Sequence, residues 1–169
     1  MGVWQDIWNV VLSEFSDIPH AVEAARITLR ILIASILGGL LGFEREARGK
    51  AAGLRTHMLV ALGAAIFVLV PQQAGASAAD LSRVLQGLVA GVGFLGAGSI
   101  IMGSQQEATK GMTTAASIWL TAAIGVAAGM GREASAVLST LLALVILSLI
   151  PRVARLFESR GRKSETGSE

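Results

Sequence analysis

Five uncharged runs set the pattern of this chain: 31–43, 58–79, 84–106, 111–131 and 134–150. A helix needs about 20 apolar residues to cross ~30 Å of hydrocarbon. Four of the runs reach or approach that length. The first reaches it if its helix begins near Ala24 and takes in Arg26 and Arg30. The pattern predicts spans at 24–43, 57–71, 84–103, 112–130 and 134–150, joined by links at 44–56, 72–83, 104–111 and 131–133. Ahead of them, Trp4, Ile7, Trp8, Val11, Leu12 and Phe15 recur at three- and four-residue intervals, with Gln5, Asp6, Asn9, Ser13 and Glu14 on the other side. That is an amphipathic helix over 1–20, ended by Pro19. Its paired tryptophans favour the headgroup region, and packing on a partner protein is the alternative. The expected fold is all-α: a polytopic membrane bundle of about five transmembrane helices over 24–150, an interfacial helix before it and a basic tail over 151–169.

Composition strengthens this reading. Charged residues make up 15% of the chain, against about 25% in soluble domains, and the mean hydropathy is +0.63. A soluble bundle built from five such stretches would have almost no polar face. The first Lys or Arg is Arg26, so no basic segment precedes an apolar core as in a cleaved signal peptide. Cysteine is absent, which removes disulfide and thiolate chemistry. Nothing points to nucleic acid.

The distribution of positive charge sets the expected orientation. With five spans, Arg45, Arg48, Lys50, Arg55, Lys110, Arg152, Arg155, Arg160, Arg162 and Lys163 share one side, while Arg83 and Arg132 lie on the other with the two arginines that open span one. The N-terminus is therefore expected outside a bacterial inner membrane and the C-terminus in the cytoplasm. From Gly161 onward the tail reads as disordered, with no soluble domain after it.

Small residues are the next signal. Gly38 and Gly42, Gly87 and Gly91, and Gly125 and Gly129 stand four apart, a spacing that lets helix backbones approach closely. Gly91-Val92-Gly93-Phe94-Leu95-Gly96 matches the dinucleotide pattern G-x-G-x-x-G, but it lies within an apolar run, follows no strand and has no acidic residue suitably placed after it. With Gly98 added, this run implies close packing. The alternative is a broken helix whose carbonyls line an ion or substrate cavity.

The polar residues near the spans are the candidate functional positions. Arg30 needs a partner or an escape to the interface, since an Arg deep in a span costs about 2.5–3.5 kcal/mol. Asp80 and Arg83 fall on the same side of the membrane, so Asp80 is expected to pair with Arg30 or Arg83. Glu44, Arg45, Glu46 and Arg48 close span one, and Arg55, Thr56 and His57 open span two; they read as a solvated charge cluster, the alternative being a polar cluster of Glu44, Arg55 and His57 at the facing helix ends. Thr113 and Thr114 start span four, more as caps or back-bonded hydroxyls than as ligands. No enzyme constellation and no His/Cys metal cluster emerges. Mg²⁺ is usually held by one or two carboxylates and retained waters. Glu44 and Asp80 are weak candidates for it, on opposite sides of the membrane, and no cofactor other than Mg²⁺ is indicated.

Four blocks, in order, resemble the MgtC/SapB family: Gly42-Phe43-Glu44-Arg45-Glu46, Ala52-Gly53-Leu54-Arg55-Thr56-His57, Gly91 through Gly98, and Thr113-Thr114-Ala115-Ala116-Ser117-Ile118-Trp119-Leu120. The resemblance covers roughly Arg26 to Ile150. It implies an inner-membrane protein of adaptation to low magnesium and, in pathogens, of virulence inside macrophages. Its implied action is to bind and restrain the membrane sector of the F-type ATP synthase. The family's polar positions fall on Arg30, Glu44, Arg55, Thr56, His57, Asp80, Arg83, Thr113 and Thr114. Longer members carry a soluble C-terminal domain, whose role cannot be carried over, and Gln86-Gly87 departs from the arrangement in many members. Two functions follow as expectations: regulation of another membrane complex through helix–helix contacts, or transport of Mg²⁺ or another cation. A homo-oligomer built on self-complementary glycine seams is a further expectation.

Overall fold

A computed structural model describes residues 2–14, 20–101 and 108–165, the side chains of 108–110 and 151–165 excepted. Phe15, Pro19 and the first half of the link before the fourth span lie outside the described residues. Six helices follow one another: α1 (Val3–Glu14), α2 (Ala21–Ala47), α3 (Leu54–Gln73), α4 (Ala78–Ile101), α5 (Ala108–Gly129) and α6 (Glu133–Glu165). Five of them, α2 to α6, carry a stretch long and apolar enough to cross a membrane. No strand occurs among the described residues.

The turns explain how so short a chain makes so many crossings. At the ends of α2, α3 and α5 a glycine takes positive φ, at Gly49, Gly75 and Gly131. Each time the backbone closes with the paired bonds of a Schellman motif, such as Gly131 N–H to Ala128 O at 3.0 Å and Arg132 N–H to Ala127 O at 2.8 Å. Entry into α4 uses a capping box. The Asp80 N–H donates to Ser77 Oγ at 3.2 Å, and the Ser77 N–H returns to Asp80 Oδ2 at 3.1 Å. The α3 entry has Gly53 as its first non-helical residue, and Glu46 Oε2 accepts the Leu54 N–H at 2.8 Å.

Helix α5 is the hub: it packs against α2, α3, α4 and α6. One apolar core joins Leu37, Leu41, Ala61, Ala65, Ile124 and Ala128, among others, and a second lies around Ala64, Val92, Ile118 and Ala122. The dominance of alanine follows from how near the backbones come. A Cβ added at Gly38 would sit 2.6 Å from His57 O, and one at Gly42 would sit 2.7 Å from Leu54 Cα. At Gly129 it would lie 2.6 Å from Ala65 O, and at Gly125 it would overlap the Ala61 carbonyl. These contacts are backbone to backbone, the geometry small-xxx-small spacing allows. The α2–α3 and α3–α5 interfaces are therefore glycine seams.

Helix α4 behaves differently. It is helical throughout Ala78–Ile101, so its glycines do not break it. Nor do they make the seam expected of them within this chain. Among the described residues, a Cβ at Gly87, Gly91, Gly93 or Gly98 would meet nothing within 4 Å, and only Gly96 has a neighbour, Ala115 Cβ at 3.5 Å. Only Val92 and Gly96 of α4 are buried, because the helix leans on α5 along one narrow edge.

Two further expectations need correction. Helix α6 does not stop at Pro151: its backbone stays helical to Glu165, through the part of the tail expected to be disordered from Gly161. Arg, Lys, Leu, Glu and Ala dominate that stretch and are good helix formers, so one missing proline N–H does not end the helix. The spans also run past the uncharged windows, as at α2, which continues to Ala47.

Candidate functional site

Two polar clusters lie at opposite ends of the bundle, and α2 takes part in both. At the first, Arg30 emerges from the third turn of α2 and turns toward the α5–α6 corner. Its Nη1 donates to Gly129 O at 3.2 Å, and its Nε lies 3.8 Å from Glu133 Oε1. The guanidinium thus satisfies one of the carbonyls left open at the α5 C-terminus, where the helix dipole favours a cation. It does not pair with Asp80. Asp80 instead forms the α4 cap and meets Arg83 Nη1 at 3.4 Å, so one of the two expected pairings is present. The reason is topological: α4 stands at the edge of the bundle and has no contact with α2 among the described residues.

At the second end, Glu44 bridges two arginines. Arg45 Nε donates to Glu44 Oε2 at 2.6 Å, and Arg48 Nε lies 2.5 Å from Glu44 Oε1, one helical turn on. Arg45 is 2% exposed, so its charge is held inside the bundle by this carboxylate. Arg48 Nη2 also donates to Ser148 O on α6 at 3.3 Å. Eighteen residues of helix separate Arg30 from Arg48, or ~27 Å along α2. That is close to the ~30 Å hydrocarbon thickness. The two arginines pin α2 to the α5–α6 corner at one boundary and to α6 at the other.

Deeper than Glu44 lies His57, fully buried where α2, α3 and α5 meet. Its Nδ1 is 2.9 Å from Gly53 O and its Nε2 is 3.2 Å from Ser117 Oγ. Ser117 Oγ also reaches Thr114 O at 2.8 Å, and Thr121 Oγ1 donates to Ser117 O at 2.8 Å. Both ring nitrogens are therefore engaged without a charged partner. Glu44, Arg55 and His57 do not come together as one cluster. Arg55 and Thr56 are exposed, and Glu44 is taken up by its own helix. Thr113 is exposed and Thr114 buried.

Sequence reasoning missed Arg45, Arg48, Ser117 and Glu133 as partners. Glu133 was accessible to it, because so short a link as 131–133 must place Glu133 at the same end as Arg30. Ser117 was not, since nothing local marks which of several hydroxyls on α5 faces His57.

As metal ligands the expected carboxylates are poorly placed. Glu44 is neutralised by two arginines and Asp80 is spent on a cap, and no group of three His, Asp or Glu that could hold a metal occurs among the described residues. Between α3 and α4, however, a cleft of about 650 Å³ opens, lined by apolar side chains and by Arg83.

Comparison with known proteins places this architecture. SrpB of Synechococcus elongatus is 40% identical over 141 residues, which cover 77% of this chain and 78% of SrpB. YhiD of Escherichia coli K12, named provisionally as a magnesium transporter, is 39% identical over 132 residues, or 74% of this chain and 60% of YhiD. MgtC of Brucella abortus is 39% identical over 125 residues, or 74% of this chain and 51% of that protein. The chain thus spans most of SrpB but only half to three-fifths of the other two. No solved structure matches it significantly. The sequence profile of the MgtC family matches residues 31–156, from within α2 into α6. This five-span helical membrane protein belongs to the MgtC family.

Proposed function

We propose that this protein acts by lateral association with another membrane complex, restraining it during adaptation to low magnesium. The observation that carries this reading is the exposure of α4. Ala90, Gly93 and Ala97 form a small-residue stripe on a transmembrane helix, all exposed, and a Cβ at Gly93 would meet nothing within 4 Å. In lipid, close helix packing over small residues replaces the hydrophobic drive that water would supply. The corresponding glycines of α2 and α5 show how close such an approach is when a partner is present. The membrane sector of the F-type ATP synthase, the partner implied by the family resemblance, is the first complex to test. The bias of Lys and Arg supports an N-out, C-in placement in a bacterial inner membrane.

Transport of Mg²⁺, as in the name given to YhiD, draws less support from the geometry, since Glu44 and Asp80 are engaged elsewhere. The two readings separate in one experiment. A photo-reactive residue at Ala90 or Ala97 in living cells grown at low magnesium should crosslink to another membrane protein, while one at Leu141 on α6 should not. Gly93→Leu should abolish the adduct. Purified protein that carries Mg²⁺ into liposomes, with Gly93→Leu as active as wild type and no α4 crosslink, would overturn the association reading.

A further inference from the structure

The α3–α4 cleft lies beside the proposed docking stripe but on a different face of α4. It exists because three glycines line it: Gly63 on α3, Gly87 and Gly91 on α4. A Cβ on any of them would meet nothing within 4 Å. Phe67, Leu88 and Val92 add an apolar lining, and Arg83 is the one charged residue on the wall.

Position along α4 gives the cleft a polarity. Arg83 is in the second turn, at the membrane boundary, and its side chain is 79% exposed. Of its five donors, one reaches Asp80 at 3.4 Å. Gly91 lies eight residues further in, ~12 Å deeper. One end of the cleft thus offers a guanidinium at headgroup depth, and the rest offers hydrocarbon. Charge decides the occupant. Arg83 sets a cation at the depth where a bilayer carries its phosphates, and behind it the cleft is lined by apolar side chains, which suits an acyl chain continuing inward from a phosphate-bearing headgroup.

We propose that the cleft is a phospholipid site, with one acyl chain between α3 and α4 and the headgroup phosphate on Arg83. Arginine suits this role because its planar fork binds phosphate oxygens in pairs.

Native mass spectrometry of the full chain in mild detergent, supplied with phosphatidylglycerol or with a chain-matched diacylglycerol, tests the proposal. Wild type should retain one phosphatidylglycerol per chain and prefer it to diacylglycerol by about tenfold. Gly87→Leu with Gly91→Leu should lower retention of both lipids about tenfold, since the leucines fill the cleft. Arg83→Gln alters an exposed side chain and leaves the fold intact. It should erase the preference for the phosphate-bearing lipid while leaving diacylglycerol retention unchanged. Equal phosphatidylglycerol retention in wild type and the leucine pair overturns the site. Equal retention of the two lipids by wild type overturns the role of Arg83. If the leucine pair releases a second copy or another protein and no lipid, the occupant is a helix and the proposal is wrong.

Discussion

Replacing Gly125 with alanine adds one methyl group to the seam between α5 and α3. That methyl would overlap the Ala61 carbonyl oxygen and lie 2.8 Å from Ala61 Cα, where carbon atoms prefer about 3.5–4.0 Å. The obstacle is backbone, so no rotamer change relieves it. The helices must part by about 1 Å, and the surrounding contacts of Ala64, Ala65 and Ala128 loosen with them. Overpacking of this kind costs about 1–3 kcal/mol, and the backbone obstacle puts Gly125 at the upper end. Alanine returns about 0.8–1.0 kcal/mol through its better helix propensity. The net loss is about 2 kcal/mol, or roughly a thirtyfold fall in the folding equilibrium. Gly98→Ala, the same change on α4 where a Cβ meets nothing within 4 Å, should instead stabilise by about 0.5–1 kcal/mol. Reversible unfolding in mixed detergent micelles, followed by circular dichroism, compares the two directly. If Gly125→Ala proves as stable as Gly98→Ala, the glycine-seam account of the α3–α5 interface is refuted.

Two further substitutions probe the polar contacts by the same unfolding measurement. Arg30→Gln should cost about 1–2 kcal/mol, because a charged hydrogen bond to Gly129 O is lost, whereas Glu133→Gln should cost under about 1 kcal/mol as a partly exposed, 3.8 Å pair; a larger effect at Glu133 would show that the pair and not the helix-end contact holds the corner. Ser117→Ala should cost about 1–3 kcal/mol by leaving His57 Nε2 facing a methyl group, while Thr121→Ala, which removes a hydroxyl bonded only to its own helix, should cost less than half as much; equal losses would mean that the His57–Ser117 contact contributes nothing.

The five crossings were legible because uncharged runs of that length have few other uses, and the α2 and α5 glycines sit where backbones approach closely. The ends of the helices were not. Counting uncharged residues stops α2 at Phe43, yet Glu44 pairs with both Arg45 and Arg48 and the helix runs on to Ala47. It also starts α4 at Val84, although Ser77 and Asp80 cap it a turn and a half earlier. Asp80 and Arg30 stand near the N-terminal ends of α4 and α2. Which helix stands next to α2 there is a question of lateral order, and hydropathy carries no information about it. For the same reason identical glycine spacings gave a packed seam on α5 and an open face on α4. Local sequence shows that a backbone can be approached, not that anything approaches it.

The central place of α5 has a consequence for how the chain enters the bilayer. Half of its apolar stretch is buried by protein, and it is the least hydrophobic of the five crossings, while α6 is the most hydrophobic. Surrounded by four neighbours, α5 can carry Thr114, Ser117 and Thr121 because lipid seldom touches them. During synthesis those neighbours are not yet all in place, and partitioning of α5 by itself is correspondingly weak. The tight corner at Gly131 joins it to α6 within three residues, so the crossing that lipid takes up least readily is tethered directly to the one it takes up most readily.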